Sequence, residues 1–277
     1  MTQQENPRSE NVARALVTLA EDGPVAIITL NSPETRNALS SAMFEALAQN
    51  LTKAAQRPGV RAIVVQAEGG VFCAGHDLKE MTAHRSDSDG GEAFFTQTMR
   101  ACSNVMQQIV GMPQPVIAAV DGMATAAGCQ LVAACDLAVA GPHARFCTPG
   151  VNIGLFCSTP AVALSRNLAR KHAMEMLLTG DVFDANDALR FGLVNHVSPD
   201  GARALALALA WKIAQKSAQA ITFGKKCFYR QLEAPLSQAY EDASAVMVAN
   251  MLQADAREGI AAFLEKRAPQ WAQRDAS

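Results

Sequence analysis

The chain of 277 residues has no Cys-x-x-Cys pair, no His-x-x-x-His spacing and no excess of positive charge. Its seven cysteines, Cys73, Cys102, Cys129, Cys135, Cys147, Cys157 and Cys227, are odd in number and irregularly spaced. That argues against a disulfide framework or a zinc site and for buried free thiols. The five histidines are scattered and imply no metal centre. A formal net charge of −2 leaves no broad basic footprint, so nucleic acid is not an expected partner. Every apolar run is broken by Pro, Asp or Lys before it reaches membrane-spanning length, so no membrane insertion is expected. The start, Met1-Thr2-Gln3-Gln4-Glu5-Asn6-Pro7-Arg8, lacks the basic and apolar regions of a signal peptide and the arginines of a transit peptide. With the free thiols, this places the expected location in the cytoplasm.

What is present is globular: 49% hydrophobic and 18% charged residues, on a chain long enough for a large core. Residues 1–11 read as a polar, disordered tail. Short β-type runs stand at Val25–Leu30, Ala62–Gln66, Val116–Val120 and Leu137–Ala140. Helical patterns lie between them: one capped by Ser40 or Ser41 and running to about Gln56, a short one around Lys79–Met81, a long one over Ala93–Val110, and one over Ala126–Ala134. Ser86–Gly91 is the most flexible-looking internal segment. Strands alternating with helices predict an α/β core over 12–200. After about Leu193 the pattern is helical only, over roughly Gly201–Ser217, Leu236–Gln253 and Asp255–Lys266. Residues 201–277 are thus a helical extension of one continuous domain.

Two segments draw the chemistry: Phe72-Cys73-Ala74-Gly75-His76-Asp77-Leu78, and Gly122 through Leu131 with Ala126-Ala127-Gly128-Cys129-Gln130 at its centre. Each follows a β-run, opens a helix and is built of small residues. A helix start leaves N–H groups unpaired and carries partial positive charge, which favours an anion. Two such starts aimed at one point would form an oxyanion hole. On local features alone, each reads as an ordinary strand–turn–helix packing unit.

The ordered set of motifs changes that reading. Pro33-Glu34-Thr35-Arg36-Asn37-Ala38-Leu39, the two segments above, Pro115–Gly122, Cys135-Asp136 and Ala144–Gly150 occur in sequence. Leu178-Thr179-Gly180, Ala188–Val194 and Glu258–Arg267 follow. Together they resemble the enoyl-CoA hydratase/isomerase, or crotonase, superfamily from Val25 to Trp271. Gly75–Glu80 and Gly154–Pro160 resemble a hydratase-domain-containing subgroup. The resemblance implies a spiral of ββα units and C-terminal helices that build a trimer or a dimer of trimers. It also implies an acyl-CoA thioester as partner, with coenzyme A as part of the substrate and no permanently bound cofactor. By motif position, the backbone N–H groups of His76 and Ala127 would hold the thioester oxygen.

The same resemblance puts Arg36 near the coenzyme A phosphates, where a solvated loop arginine is an equal reading. Ala38, Ala74 and Leu78 match positions along the adenine and pantetheine arm. Phe263 and Lys266, three residues apart on one helical face, match the helix that closes the adenine site, sometimes from a neighbouring subunit. Asp77 is expected to hold its loop, and Asp136 to fix a helix end. The two family glutamates that add water fall on Gln130 and Gly150. Neither can take a proton at neutral pH. General acid–base help is worth ~10²–10⁴-fold in rate, so standard hydration is not expected unless another group substitutes. Cys157 qualifies only with a lowered thiol pKa. His76 titrates near neutrality, but its positional role stands ahead of a catalytic one. Three functions follow: an enoyl-CoA hydratase or isomerase, another acyl-CoA enzyme such as a malonyl-type decarboxylase, or a non-catalytic acyl-CoA binder.

Overall fold

The computed structural model describes residues 14–272, and the expected tail at 1–11 falls outside them. In chain order the elements are β1 (Val17–Asp22), β2 (Val25–Leu30), α1 (Ser41–Gln56), β3 (Ala62–Ala67), β4 (Val71–Cys73), α2 (Leu78–Ala83) and α3 (Glu92–Gly111). Next are β5 (Val116–Val120), β6 (Met123–Thr125), α4 (Ala127–Ala134), β7 (Leu137–Ala140), β8 (Arg145–Cys147), α5 (Ser158–Asn167) and α6 (Arg170–Thr179). The remainder is β9 (Phe183–Asp184), α7 (Ala185–Phe191), β10 (His196–Val197), α8 (Ala202–Ala214), α9 (Ala218–Gln231), α10 (Leu236–Met251) and α11 (Ala254–Leu264).

The strands form two sheets, ordered β1-β2-β3-β5-β7-β10 and β4-β6-β8-β9. The first unit keeps both its strands, β1 and β2, in the large sheet; from β3 on, a unit sends its first strand to the large sheet and its second to the small one, then returns through a helix. β5-β6-α4 and β7-β8-α5 repeat this step, so the chain winds as a spiral of ββα units. The inner strands run parallel, and β5, Val-Ile-Ala-Ala-Val, is buried throughout. Burial on both faces is why these strands read as apolar runs in the sequence.

The main core fills the space between the large sheet and α1, α3 and α4. On α1, Met43, Phe44, Leu47, Leu51 and Ala54 make the buried stripe, and Ser40 Oγ caps the start by accepting from the Met43 N–H. The outer face of the sheet is covered by α8. Its Ala202, Ala206 and Ala210, four residues apart, pack against Val25, Val64, Ile117 and Val139. Alanine lets that helix lie close to the strands. Among the described residues, no helix is long and apolar enough to cross a membrane.

Several expectations are corrected. β1 carries no apolar run, because as an edge strand it buries only Val17. Helix α9 stands where no helix was expected, and none of its residues is fully buried. β10 interrupts the supposedly all-helical stretch after Leu193. Ser86–Gly91, expected to be flexible, carries local hydrogen bonds. Asp89 accepts from the N–H groups of Gly91 and Ala93 at 2.9 and 2.8 Å, and the His84 ring stacks on Phe94 at 3.7 Å. Asp136 does not fix a helix end. Its carboxylate accepts from Val116 N–H (2.7 Å), Lys225 Nζ (2.6 Å) and Tyr229 OH (2.9 Å), joining β5 to α9.

Candidate functional site

The first arm of the site is the segment leaving β4. Ala74 N–H donates to Arg36 O (3.1 Å), Leu39 N–H to Gly75 O (2.7 Å) and Asp77 N–H to Leu39 O (3.4 Å). Residues 36–39 thus splint residues 74–77. The splint is itself held by Asn37, which is fully buried. Its Nδ2 donates to Glu68 O and Val71 O at 2.9 and 2.8 Å, and its Oδ1 accepts from Ser32 N–H at 2.8 Å. Asn37 sits at φ 52°, a left-handed conformation that asparagine tolerates. Asn37 was not singled out from the sequence, although it lies inside a quoted motif. It ends a polar loop between β2 and α1, and no local signal there sets it apart. Asp77 plays its expected part: its Oδ1 accepts from the N–H groups of Lys79 and Glu80 and caps α2. The Glu80 carboxylate accepts from Ser41 N–H at the start of α1, at 2.9 Å.

The second arm leaves β6 and opens α4. Ala126 N–H donates to Cys147 O (2.9 Å), and Ala126 takes φ 51° and ψ −114°. That conformation is strained for a residue with a Cβ and is typical of functional turns. Ala127 begins the helix and is completely buried.

The two arms abut. Gly75 has φ +82°, and a Cβ there would stand 2.8 Å from Thr125 O and 3.3 Å from Ala127 N. A Cβ on Gly128 would stand 2.3 Å from Cys73 O. Only glycine permits either approach. The junction therefore sets Gly75, the residue before His76, against the start of α4 at Ala127. Among the hydrogen bonds of the described residues, none has the N–H of His76 or of Ala127 as donor.

Apart from Asp77, whose carboxylate is engaged in capping α2, the side chains next to the junction are uncharged. The His76 ring lies 5.7 Å from that of Phe44, and its Nε2 is sealed from solvent without a partner. Burial pulls its pKa below the usual histidine value, which favours the neutral imidazole. Gln130 is buried on α4, and its Oε1 faces Cys102 Sγ of α3 at 3.6 Å. Gly150 lies in the 3-10 turn Pro149–Ile153. A Cβ there would meet Leu155 O at 2.7 Å and Cys157 Sγ at 2.9 Å. The chain has folded into the space a side chain would need. Cys157 does not substitute for the missing base, because burial raises its thiol pKa. Burial also pushes the thiols of Cys73 and Cys102 up to about 12.

The remaining candidates fall into two groups. Arg36, Ala38, Ala74 and Leu78 lie on the splint and its edge. Arg36 is exposed, at φ 58°, and Leu78 is 51% exposed. Phe263, 82% exposed, belongs to α11, which packs on α9 and α10 rather than on the junction. Lys266 does not share its helical face. α11 ends at Leu264, and Lys266 lies beyond it at φ 55°.

Comparison with known proteins completes the picture. The family described as enoyl-CoA hydratase/isomerase matches residues 20–274. A Rattus norvegicus protein named enoyl-CoA hydratase domain-containing protein 3, mitochondrial, is 46% identical over 95% of this chain and 86% of its own length. A solved Mycobacterium smegmatis enoyl-CoA hydratase is 48% identical, with a TM-score of 0.88 over 93% of this chain and 99% of its own. The human enoyl Coenzyme A hydratase domain-containing protein 3 is 43% identical, with a TM-score of 0.87 over 92% and 100%. The cytoplasmic expectation is overturned. Relatives from Xenopus laevis, Rattus norvegicus, Mus musculus, Homo sapiens and Danio rerio all carry mitochondrial in their names. Free thiols do not distinguish cytoplasm from mitochondrion.

Proposed function

Because the chain belongs to the enoyl-CoA hydratase/isomerase family, we propose that it binds an acyl-CoA thioester with the carbonyl oxygen between the N–H groups of His76 and Ala127. The observation that carries this reading is the junction itself: Gly75, the residue before His76, is set against Ala127 N, and neither N–H is a donor in any hydrogen bond of the described residues. Negative charge grows on that oxygen whenever the thioester becomes an enolate. Fixed donors at a helix start stabilise it there without reorganising. Arg36, Ala38, Ala74 and Leu78 form the rim for the coenzyme A arm, and coenzyme A enters and leaves as part of the substrate. Phe263 and Lys266 complete the adenine end from a neighbouring copy. Exposed Leu236, Tyr240, Leu252, Phe263 and Leu264 give α10 and α11 an apolar face suited to assembly as a trimer or a dimer of trimers.

The family is one of lyases and isomerases, and water addition by two glutamates does not suit Gln130 and Gly150. A second reading is favoured by that neutral lining: loss of CO₂ from a malonyl-type thioester. The bond between the α-carbon and the carboxylate breaks, its electron pair forms the enolate, and the enolate then takes a proton from water. No protein base is needed for the first step.

Carbonyl binding is tested by infrared difference spectra of butyryl-CoA labelled with carbon-13 at the carbonyl. The labelled stretch should fall in frequency on binding, and an unshifted band would sink the grip. Mass spectrometry of a mixed acyl-CoA pool then separates the reactions: new 3-hydroxyacyl-CoA marks hydration, and malonyl-CoA converted to acetyl-CoA marks decarboxylation. Binding with no turnover in the pool leaves a non-catalytic acyl-CoA binder.

A further inference from the structure

Resting on the acyl-CoA reading above, we propose that Gln130 donates to a carboxylate on the acyl group, that the site therefore prefers short dicarboxylic thioesters, and that Cys102 positions Gln130 to do so. Gln130 lies three residues after Ala127 on α4, hence on the same helical face. The rise between them is about 4.5 Å, at 1.5 Å per residue. That is comparable with the span from a thioester oxygen to a carboxylate one or two carbons away.

The amide has a donor end and an acceptor end, and its surroundings decide which end is free. Cys102 is completely buried, and its thiol stays protonated because burial raises its pKa to about 12. An S–H needs an acceptor, and Gln130 Oε1 stands 3.6 Å away. With the oxygen engaged, Nε2 turns both hydrogens elsewhere. Nε2 has no partner among the described residues, yet it is not among the sealed, unpartnered atoms. A donor is thus left open one turn below the carbonyl grip.

The groups packed near the two arms are compatible with an anion. Burial favours the neutral His76 ring and the protonated thiols of Cys73 and Cys102, and the Asp77 carboxylate is engaged in capping α2. The start of α4 adds its partial positive charge. A glutamate at 130 would repel a second carboxylate, whereas the amide attracts it. The replacement that removes an acid–base group therefore creates a specificity group.

The test is calorimetric titration of the full chain with succinyl-CoA and butyryl-CoA. They share a four-carbon acyl chain, and neither can lose CO₂ to leave a thioester enolate. The wild type should bind succinyl-CoA at least tenfold more tightly. Q130E should lower the succinyl-to-butyryl affinity ratio at least tenfold. Q130M keeps the volume without charge or donor, and should lower the ratio even if the buried carboxylate of Q130E unfolds the chain. C102A should lower the ratio as well, and C102S, which restores a donor, should recover it. A merely structural Cys102 would change both affinities together. Equal or tighter binding of butyryl-CoA by the wild type, or a ratio unmoved in Q130M, overturns the proposal. If neither thioester binds, the acyl-CoA reading itself falls, and this inference with it.

Discussion

At the scale of single residues, two positions govern what the site can do. Gly75 must hold φ +82°, and a Cβ there would stand 2.8 Å from Thr125 O. G75A should therefore destabilise the chain by more than the ~1 kcal/mol of an ordinary glycine replacement. It should also abolish the thermal shift given by acyl-CoA, since the two arms can no longer abut. Thermal melts with and without butyryl-CoA check both effects, and a full ligand shift in G75A would contradict the geometry. Gly150 is closed in by Leu155 O and Cys157 Sγ. The double variant Q130E/G150E should accordingly fail to hydrate crotonyl-CoA, because a glutamate at 150 cannot enter without moving backbone. Restored loss of the conjugated-enoyl absorbance would show that the turn yields. His76 adds a pH effect. Its folded pKa lies below its unfolded value, so the unfolded chain binds more protons as pH falls through about 6.5. The stability it contributes is present above that pH and is lost from there down to the folded pKa. Urea midpoints should fall over that window, and H76N should flatten the fall.

At the scale of elements, the C-terminal helices depend on one buried polar knot. Lys225 Nζ donates to Ile109 O and Gln114 O at 2.9 and 3.0 Å, besides its 2.6 Å contact with Asp136. Both partners are nearly buried, with side chains 7% and 16% exposed. Removing one member of such a pair costs about 3–5 kcal/mol, because the other charge stays buried without its partner. K225M should lower stability by that order in urea titrations. A change under about 1 kcal/mol, within the range of exposed pairs, would mean that Asp136 finds other compensation. The knot also accounts for α9 being hidden in the sequence. The helix is held by Lys225 and Tyr229 reaching inward rather than by a continuous apolar stripe, and none of its residues is fully buried.

At the scale of the whole molecule, α10 and α11 are the part least satisfied in one chain. Leu252, Phe263 and Leu264 stand in the open, on and beside two helices that pack together. Sedimentation should show an assembly at micromolar concentration. L252K/F263K should shift it toward monomer, and should weaken coenzyme A binding together with it if, as proposed, the adenine end is supplied across the contact. A monomeric wild type would remove this face from the site.

Periodicity and burial made the inner strands legible before the fold was known. β2, β5 and β7 are apolar runs because both their faces are covered, and α1 shows its stripe and its cap within its own residues. The ordered motifs were also legible, and with them the family, the paired helix starts and the absence of glutamates at Gln130 and Gly150. Elements whose stability comes from outside themselves were not legible. β1 is defined by its pairing with β2, α9 by Asp136, and the closed turn at Ser86–Gly91 by Asp89 and by His84 lying on Phe94. Only the tertiary structure decided that Gly75 meets Ala127, that Asn37 braces the splint, and that Cys102 faces Gln130. Those contacts join residues distant in the chain, and no local pattern encodes such an approach. The residue types at the site were thus set by sequence, whereas the free N–H groups and the orientation of the Gln130 amide were set by what packs around them.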